Sequence, residues 1–231
     1  MNTDAMIQVL KHAPLFQGIS PEALKVVFSC LKPRVYTYPK GGFIAIEGES
    51  FSGLGILLCG KATIVKENAA GDRIVMNPMA EGDMFGEIIV FSNTTTWPAS
   101  VIAQMECKVI FLPSVKIMGT CANICASHKQ LITNMLTIVS EKAVDLNRKV
   151  EYLAIKGMRE KICTFLLEQY KLTKRTSFTL NLNRNDLADF FNVSRTALSR
   201  EMGRMRDEGL IEFYRSSIKI VDLAALKQGI E

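Results

Sequence analysis

Polar and basic residues in the last third of the chain have the types and the spacing needed to contact DNA. At about 100° per residue, one face of a predicted helix carries side chains suited to base edges and phosphates: Arg195, Thr196, Ser199, Arg200 and Arg204. The opposite face is apolar, with Leu198, Met202 and Met205 at i, i+4 and i+7. We therefore expect this helix to pack by one face and to bind double-stranded DNA by the other.

The flanking residues predict a winged helix-turn-helix around that helix. Asn183 and Ser194 are good N-caps for helices over 184–191 and 195–208, and Gly209 is typical of a helix C-terminus. A strand pair should follow, over 210–214 and 218–221. The alternative is an amphipathic helical hairpin with a solvated charged face, which the tight spacing and the strand pair disfavour.

Length and composition favour two domains and an intracellular location. The chain has 231 residues, is 48% hydrophobic and carries a net charge of +5, and 14 of its 28 basic but only 10 of its 23 acidic residues lie in 154–231. No apolar run approaches transmembrane length and no signal peptide is evident, so we expect a cytoplasmic protein without membrane contact. Its six cysteines are then expected to be reduced.

The first half of the chain reads as short strands separated by glycines. Seven runs rich in Ile, Val and Leu are strand candidates: 34–38, 43–47, 55–59, 62–67, 73–78, 98–103 and 107–113. Close spacing with glycine at the corners predicts a double-stranded β-helix, or jelly roll, and any small barrel with glycine turns remains the alternative.

A long helix is predicted between these two regions, over about 128–155. Its apolar residues step alternately by four and three, as in a coiled-coil seam: Ile132, Leu136, Val139, Ala143, Leu146, Val150 and Leu153. Packing on the β-roll alone would also use such a stripe. We favour a homodimer, because helix-turn-helix proteins usually bind palindromic DNA as two-fold dimers.

Several motifs in this order and spacing resemble those of Crp/Fnr family transcription regulators. They include Gly82-Asp83-Met84-Phe85-Gly86-Glu87, and the run from Val193 to Arg200. The resemblance implies an α+β fold with three parts: an effector-sensing β-roll (1–127), a dimerisation helix (128–155) and a winged helix-turn-helix (156–231). It also implies that RNA polymerase is a partner and that the protein is not an enzyme.

The effector pocket implied by the resemblance departs from that of cyclic-AMP-binding members. There an Arg-Ser pair binds the cyclic phosphate, whereas Trp97 and Pro98 occupy the corresponding positions after Gly86 and Glu87. The positions in the dimerisation helix that contact the adenine base in those members correspond to Leu146 and Asn147 here. We therefore expect that cyclic AMP is not the effector. The pocket either binds an apolar or aromatic small molecule instead, or has lost ligand binding, in which case the regulator needs no ligand.

Other chemistry finds little support. No cysteine precedes Cys30, which disfavours an iron-sulfur cluster, and His12 and His128 are isolated candidates for a haem ligand. Cys121 and Cys125 could form a thiol switch, so a redox or haem-linked sensor stays an alternative. We expect no catalytic residues, metal site or cofactor, because the metal site of a cupin-like enzyme needs clustered histidines and the two histidines here lie far apart in the sequence. A protein whose helical domain contacts only other proteins would be favoured by acidic residues on the recognition face, which this face lacks.

Overall fold

Short strands rich in apolar residues build two antiparallel sheets in the first part of the chain. The computed structural model describes residues 3–51, 53–67, 73–118 and 126–229, and divides the chain into two compact units, Met1–Glu141 and Lys142–Glu231. One sheet has the strand order β1 (Arg34–Tyr38), β8 (Cys107–Leu112), β3 (Leu54–Cys59), β6 (Met84–Phe85). The other has the order β2 (Phe43–Ala45), β7 (Ser100–Ala103), β4 (Ala62–Glu67), β5 (Arg73–Met79).

The two faces of the first sheet are buried in different cores. Side chains such as Leu57, Val109 and Phe111 pack with those of the second sheet inside the roll. The alternate positions, including Ile56 and Ile110, pack against helices. These are α1 (Thr3–Leu10), a 3-10 helix (Pro14–Phe16), α2 (Pro21–Leu31), α3 (Glu87–Val90), α4 (Ser114–Met118) and the start of α5 (Ala126–Ala154).

The second unit contains the helix-turn-helix and its wing. Its helices are α6 (Met158–Thr173), α7 (Arg184–Phe191), α8 (Arg195–Asp207) and α9 (Leu223–Gln228), and its antiparallel sheet has the order β10 (Ile211–Tyr214), β11 (Ser217–Ile220), β9 (Ser177–Thr179). Asn183 forms a capping box with Asp186, which starts α7. Phe191, Leu198 and Met205 are fully buried where the helices meet.

This architecture confirms the predicted fold class, with small differences at the edges of elements. The run 43–47 leaves the sheet after Ala45, and the two-residue strand β6 and the helices α1, α3, α4 and α9 were not predicted. The division between the compact units falls within α5, between Glu141 and Lys142, whereas domain boundaries at residues 127 and 155 remain predictions. Among the described helices, none combines the length and apolar composition needed to cross a bilayer.

Candidate nucleic-acid interface and effector pocket

Burial of one face of α8 leaves the opposite face free for contact. Ser194 Oγ accepts a hydrogen bond from the Ala197 amide at 3.2 Å, which starts the helix in a fixed direction. Leu198, Met202 and Met205 are at most 1% exposed and lock its inner face into the core of the unit. Such an anchored helix can present its outer side chains with little loss of conformational freedom on binding.

The predicted DNA-contacting side chains all lie on the accessible side of α8. The structure leaves each of them exposed: Arg195, Thr196, Ser199, Arg200 and Arg204. Gly203 lies among them, and a Cβ built on it would meet no heavy atom within 4 Å. The outer surface of this helix is therefore basic, hydroxyl-rich and open at Gly203, which suits close approach to base edges and phosphates.

Sequence reasoning placed Arg206 at the flank of this face but missed Arg184, which lies beside it. The guanidinium of Arg184, the first residue of α7, lies 5.0 Å from the centre of the Phe213 ring, and that of Arg206 lies 5.8 Å from it. Burial and, after it, the charge of Arg195 lower the pKa of Arg184. The sequence signal that could have identified Arg184 is its position directly after the N-cap Asn183, because the backbone amides at a helix N-terminus attract anions such as phosphates. These charges extend the basic surface from α8 toward the wing.

The second half of α5 has two different faces. Tyr152 is 1% exposed and packs against Phe165, Phe190 and Phe191, with ring centres 4.9 to 6.2 Å apart. Arg148 pairs with Glu168 at 2.6 Å on the same side. This face is therefore anchored to α6 and α7.

The other face of the second half of α5 carries the predicted dimer seam. Leu146, Val150 and Leu153 are 65%, 54% and 48% exposed, and Ala143 is exposed as well. Earlier in the helix Leu136 is exposed, whereas Ile132 is partly buried and Val139 is packed against the core of the first unit. The accessible apolar stripe is therefore most continuous between Ala143 and Leu153.

Trp97 fills the space beside the predicted phosphate-binding turn. It is 5% exposed, and its ring centre lies 4.7 Å from that of Phe51 and 5.6 Å from that of Phe85. Gly86 has a φ of 85°, and a Cβ added there would lie 2.9 Å from the indole. The structure therefore brings Gly86 and Trp97 together as packed neighbours, with a large aromatic ring where a polar ligand group would need a partner.

The other predicted pocket residues have varied surroundings. Glu87 is buried at the start of α3, whereas Pro98 is exposed. Leu146 and Asn147 are exposed residues of the second unit, and the Asn147 side-chain amide donates to Glu151 at 3.1 Å. Sequence reasoning also missed a groove of about 380 Å³, which is lined by Arg34, Tyr36, Tyr38, Ile44, Phe111 and Pro113. Its residues come from separate strands, so no local motif marks it.

His128 and Cys163 have surroundings typical of structural residues. His128 is buried and donates from Nε2 to the carbonyl oxygen of Ile117 at 3.0 Å. Burial raises the pKa of Cys163 to about 11, which favours an unreactive thiol. Cys121 and Cys125 lie outside the described residues. No cluster of three or more potential metal ligands is found in the described part of the chain.

Comparison with known proteins agrees with this two-part organisation. Residues 35–123 match the family model of the cyclic nucleotide-binding domain, and residues 160–228 match that of the Crp-like helix-turn-helix domain. The Cyclic AMP receptor protein of Thermus thermophilus is 20% identical over 220 residues, which is 95% of this chain and 97% of the relative. A CRP-like cAMP-activated global transcriptional regulator of Mycobacterium tuberculosis is 22% identical over 226 residues, or 94% and 96% of the two chains.

A likeness to solved structures supports the same fold. The crystal structure of the Thermus thermophilus catabolite activator protein aligns with a TM-score of 0.55 at 18% identity, covering 94% of this chain and 98% of that one. A c-di-GMP responsive global regulator of Xanthomonas campestris aligns with a TM-score of 0.51 at 15% identity, covering 88% and 100%. These relatives are regulators of transcription, not enzymes.

Proposed function

Since the chain belongs to the Crp/Fnr family of DNA-binding transcription regulators, we propose that two copies of it bind a palindromic operator through their α8 helices. The observation that carries this proposal is the exposed arginine and hydroxyl face of a helix whose inner face is fully buried. Such a protein acts in the cytoplasm beside the chromosome, and RNA polymerase is the partner through which it would change transcription.

Arg200→Ala should weaken binding to the operator about tenfold or more. A bidentate arginine contact to guanine contributes roughly 1 to 3 kcal/mol of discrimination, and 1.4 kcal/mol corresponds to about a factor of ten. The operator is first selected from random duplexes with the wild-type protein, and the affinity of each variant is then measured by mobility shift. Lys171→Ala, which removes an exposed charge at the end of α6, is the control. Unchanged operator affinity in Arg200→Ala would remove Arg200 from base recognition.

We propose that the two copies contact each other through the second half of α5. Its anchored face fixes it to the helix-turn-helix unit, and its exposed stripe is apolar over Ala143, Leu146, Val150 and Leu153. Large apolar side chains at this spacing gain stability when they pack against the same helix of a second copy. The contact would link two recognition helices, as a palindromic operator requires.

The proposed regulator does not use cyclic AMP. A cyclic phosphate at Gly86 would displace Trp97 from its packing with Phe51 and Phe85, and would meet an indole instead of a guanidinium. Burying an unpaired charge costs several kcal/mol. The supported choices are an apolar or aromatic effector, for which Trp97 and Glu87 would form the wall of a rearranged site, or control without a ligand.

Cyclic AMP should therefore leave the melting temperature of the protein unchanged. A ligand at a hundred times its dissociation constant adds about 2.7 kcal/mol to the free energy of unfolding, which a thermal scan detects readily. Trp97 fluorescence gives an independent reading, because this is the single tryptophan of the chain. A saturable rise in melting temperature together with a change in Trp97 emission would contradict the proposal.

A further inference from the structure

The first turn of α6 is tied to both helices of the helix-turn-helix. Lys161 is buried, and its Nζ donates a hydrogen bond of 3.2 Å to the carbonyl oxygen of Phe191 at the end of α7. Arg159, on the same turn, reaches α8 instead. The first turn of α6 therefore contacts the C-terminal end of α7 and the side of α8.

Arg159 divides its guanidinium between two carboxylates, that of Glu201 within α8 and that of Glu208 directly after its last residue. Its Nε donates to Glu201 at 2.8 Å, while Nη1 and Nη2 donate to the two oxygens of Glu208 at 2.7 Å and 2.8 Å. The planar fork of a guanidinium makes such a bidentate contact, and an ammonium cannot. Glu201 and Glu208 lie two helical turns apart, so a single side chain bridges a long stretch of α8.

The charges within this contact support one another. Hydrogen bonds to Glu208 and then Glu201 raise the pKa of Arg159, and the hydrogen bonds from Arg159 lower the pKa of Glu208. Arg159 and Glu208 are therefore ionised at neutral pH. Without Arg159, the recognition helix would carry negative charge beside its basic face.

Glu201 connects Arg159 to the outer face of α8. Glu201 is largely buried, with a side chain 13% exposed, and its second oxygen accepts a hydrogen bond from Arg204 Nη1 at 3.3 Å. Arg204 is one of the exposed side chains proposed to contact DNA. A continuous network therefore runs from α6 through Glu201 to the proposed interface.

We propose that Arg159 is a positioning residue for sequence recognition, which sets the orientation of α8 and, through Glu201, the guanidinium of Arg204, without contacting DNA itself. This role rests on the proposed function. Contacts to base edges need exact register, whereas attraction to phosphates acts over a distance. A recognition helix released by loss of Arg159 therefore loses specific binding while it retains most of its non-specific binding.

The test compares Arg159→Met on the selected operator and on a scrambled duplex over a range of salt concentrations. We expect the operator affinity to fall about tenfold and the scrambled-duplex affinity to stay within about twofold. The slope of log affinity against log salt should not change, because no phosphate contact is lost. Lys227→Met removes one exposed positive charge from α9 and should leave both affinities unchanged, as the matched control.

Each other outcome has a definite meaning. Arg159→Lys should recover only part of the operator affinity, and full recovery would overturn the need for a fork. An equal fall on both duplexes with a slope smaller by about one would make Arg159 a phosphate contact instead. Operator affinity unchanged in Arg159→Met, even with a lower melting temperature, would reduce the residue to a structural role. A wild-type protein that cannot distinguish the two duplexes would overturn the proposed function, and this role with it.

Discussion

Leu146→Glu should convert the protein into a monomer and weaken operator binding by about two to four orders of magnitude. Leu146 is 65% exposed in the single chain, so the substitution should change the stability of the monomer by no more than about 0.5 kcal/mol. In the proposed dimer it would place two carboxylates in an apolar seam, at a cost of several kcal/mol. Linking two half-site contacts commonly raises affinity by about 10² to 10⁴, and that gain would be lost.

Light scattering for mass and mobility shift for operator affinity would check this result. Val144→Glu is the matched control, because Val144 is 66% exposed on the same helix but lies away from the predicted seam. Its mass and affinity should equal those of the wild type. A dimeric Leu146→Glu variant would place the contact between copies elsewhere on the chain.

Tyr152→Ala should destabilise the second unit by about 3 to 5 kcal/mol, the usual cost of truncating a buried aromatic side chain. Tyr152 packs against three phenylalanines and is 1% exposed. The substitution would leave a cavity where α5, α6 and α7 meet, and DNA binding would fail at temperatures where the wild type is still folded.

Denaturant unfolding followed by two signals would locate the loss. Trp97 lies in the first unit, so its fluorescence follows that unit, whereas far-ultraviolet circular dichroism follows the helices of both. In Tyr152→Ala the dichroism transition should begin at lower denaturant while the tryptophan transition stays in place. Tyr214→Ala, at a tyrosine 72% exposed in the same unit, should change neither. A joint shift of both signals in Tyr152→Ala would show that the units unfold together.

The helix-turn-helix could be predicted almost to the residue because its signals are local. Asn183 and Ser194 cap helices through their own neighbouring amides, and no distant contact is needed to start them. The strand β6 escaped prediction because two residues carry no periodicity. The network of Arg159 escaped because it depends on how α6 and α8 approach each other, which spacing along the chain does not encode.

Part of the candidate site could also be predicted from the sequence, because its signals are local. Pattern alone separated the inner and outer faces of α8, since burial follows a single period there. In α5 the heptad pattern could not tell which apolar residues face the chain's own core, and Val139 packs inward while Leu136 is exposed. The departure at Trp97 was evident from the sequence, but only three-dimensional packing showed that its ring occupies the space against Gly86.

The two faces of α5 have a consequence for the geometry of the operator. Leu146 and Val150 project from the exposed side of the same helical turns whose other side is anchored by Arg148 and Tyr152. In the proposed dimer, the helix that joins the copies is thus part of the rigid body that carries each recognition helix. A rigid dimer would then fix the distance between the two recognition helices, so DNA whose half-sites have another spacing must bend or twist to bind. Operators with stiff sequences between the half-sites should therefore bind more weakly, although no side chain contacts those base pairs.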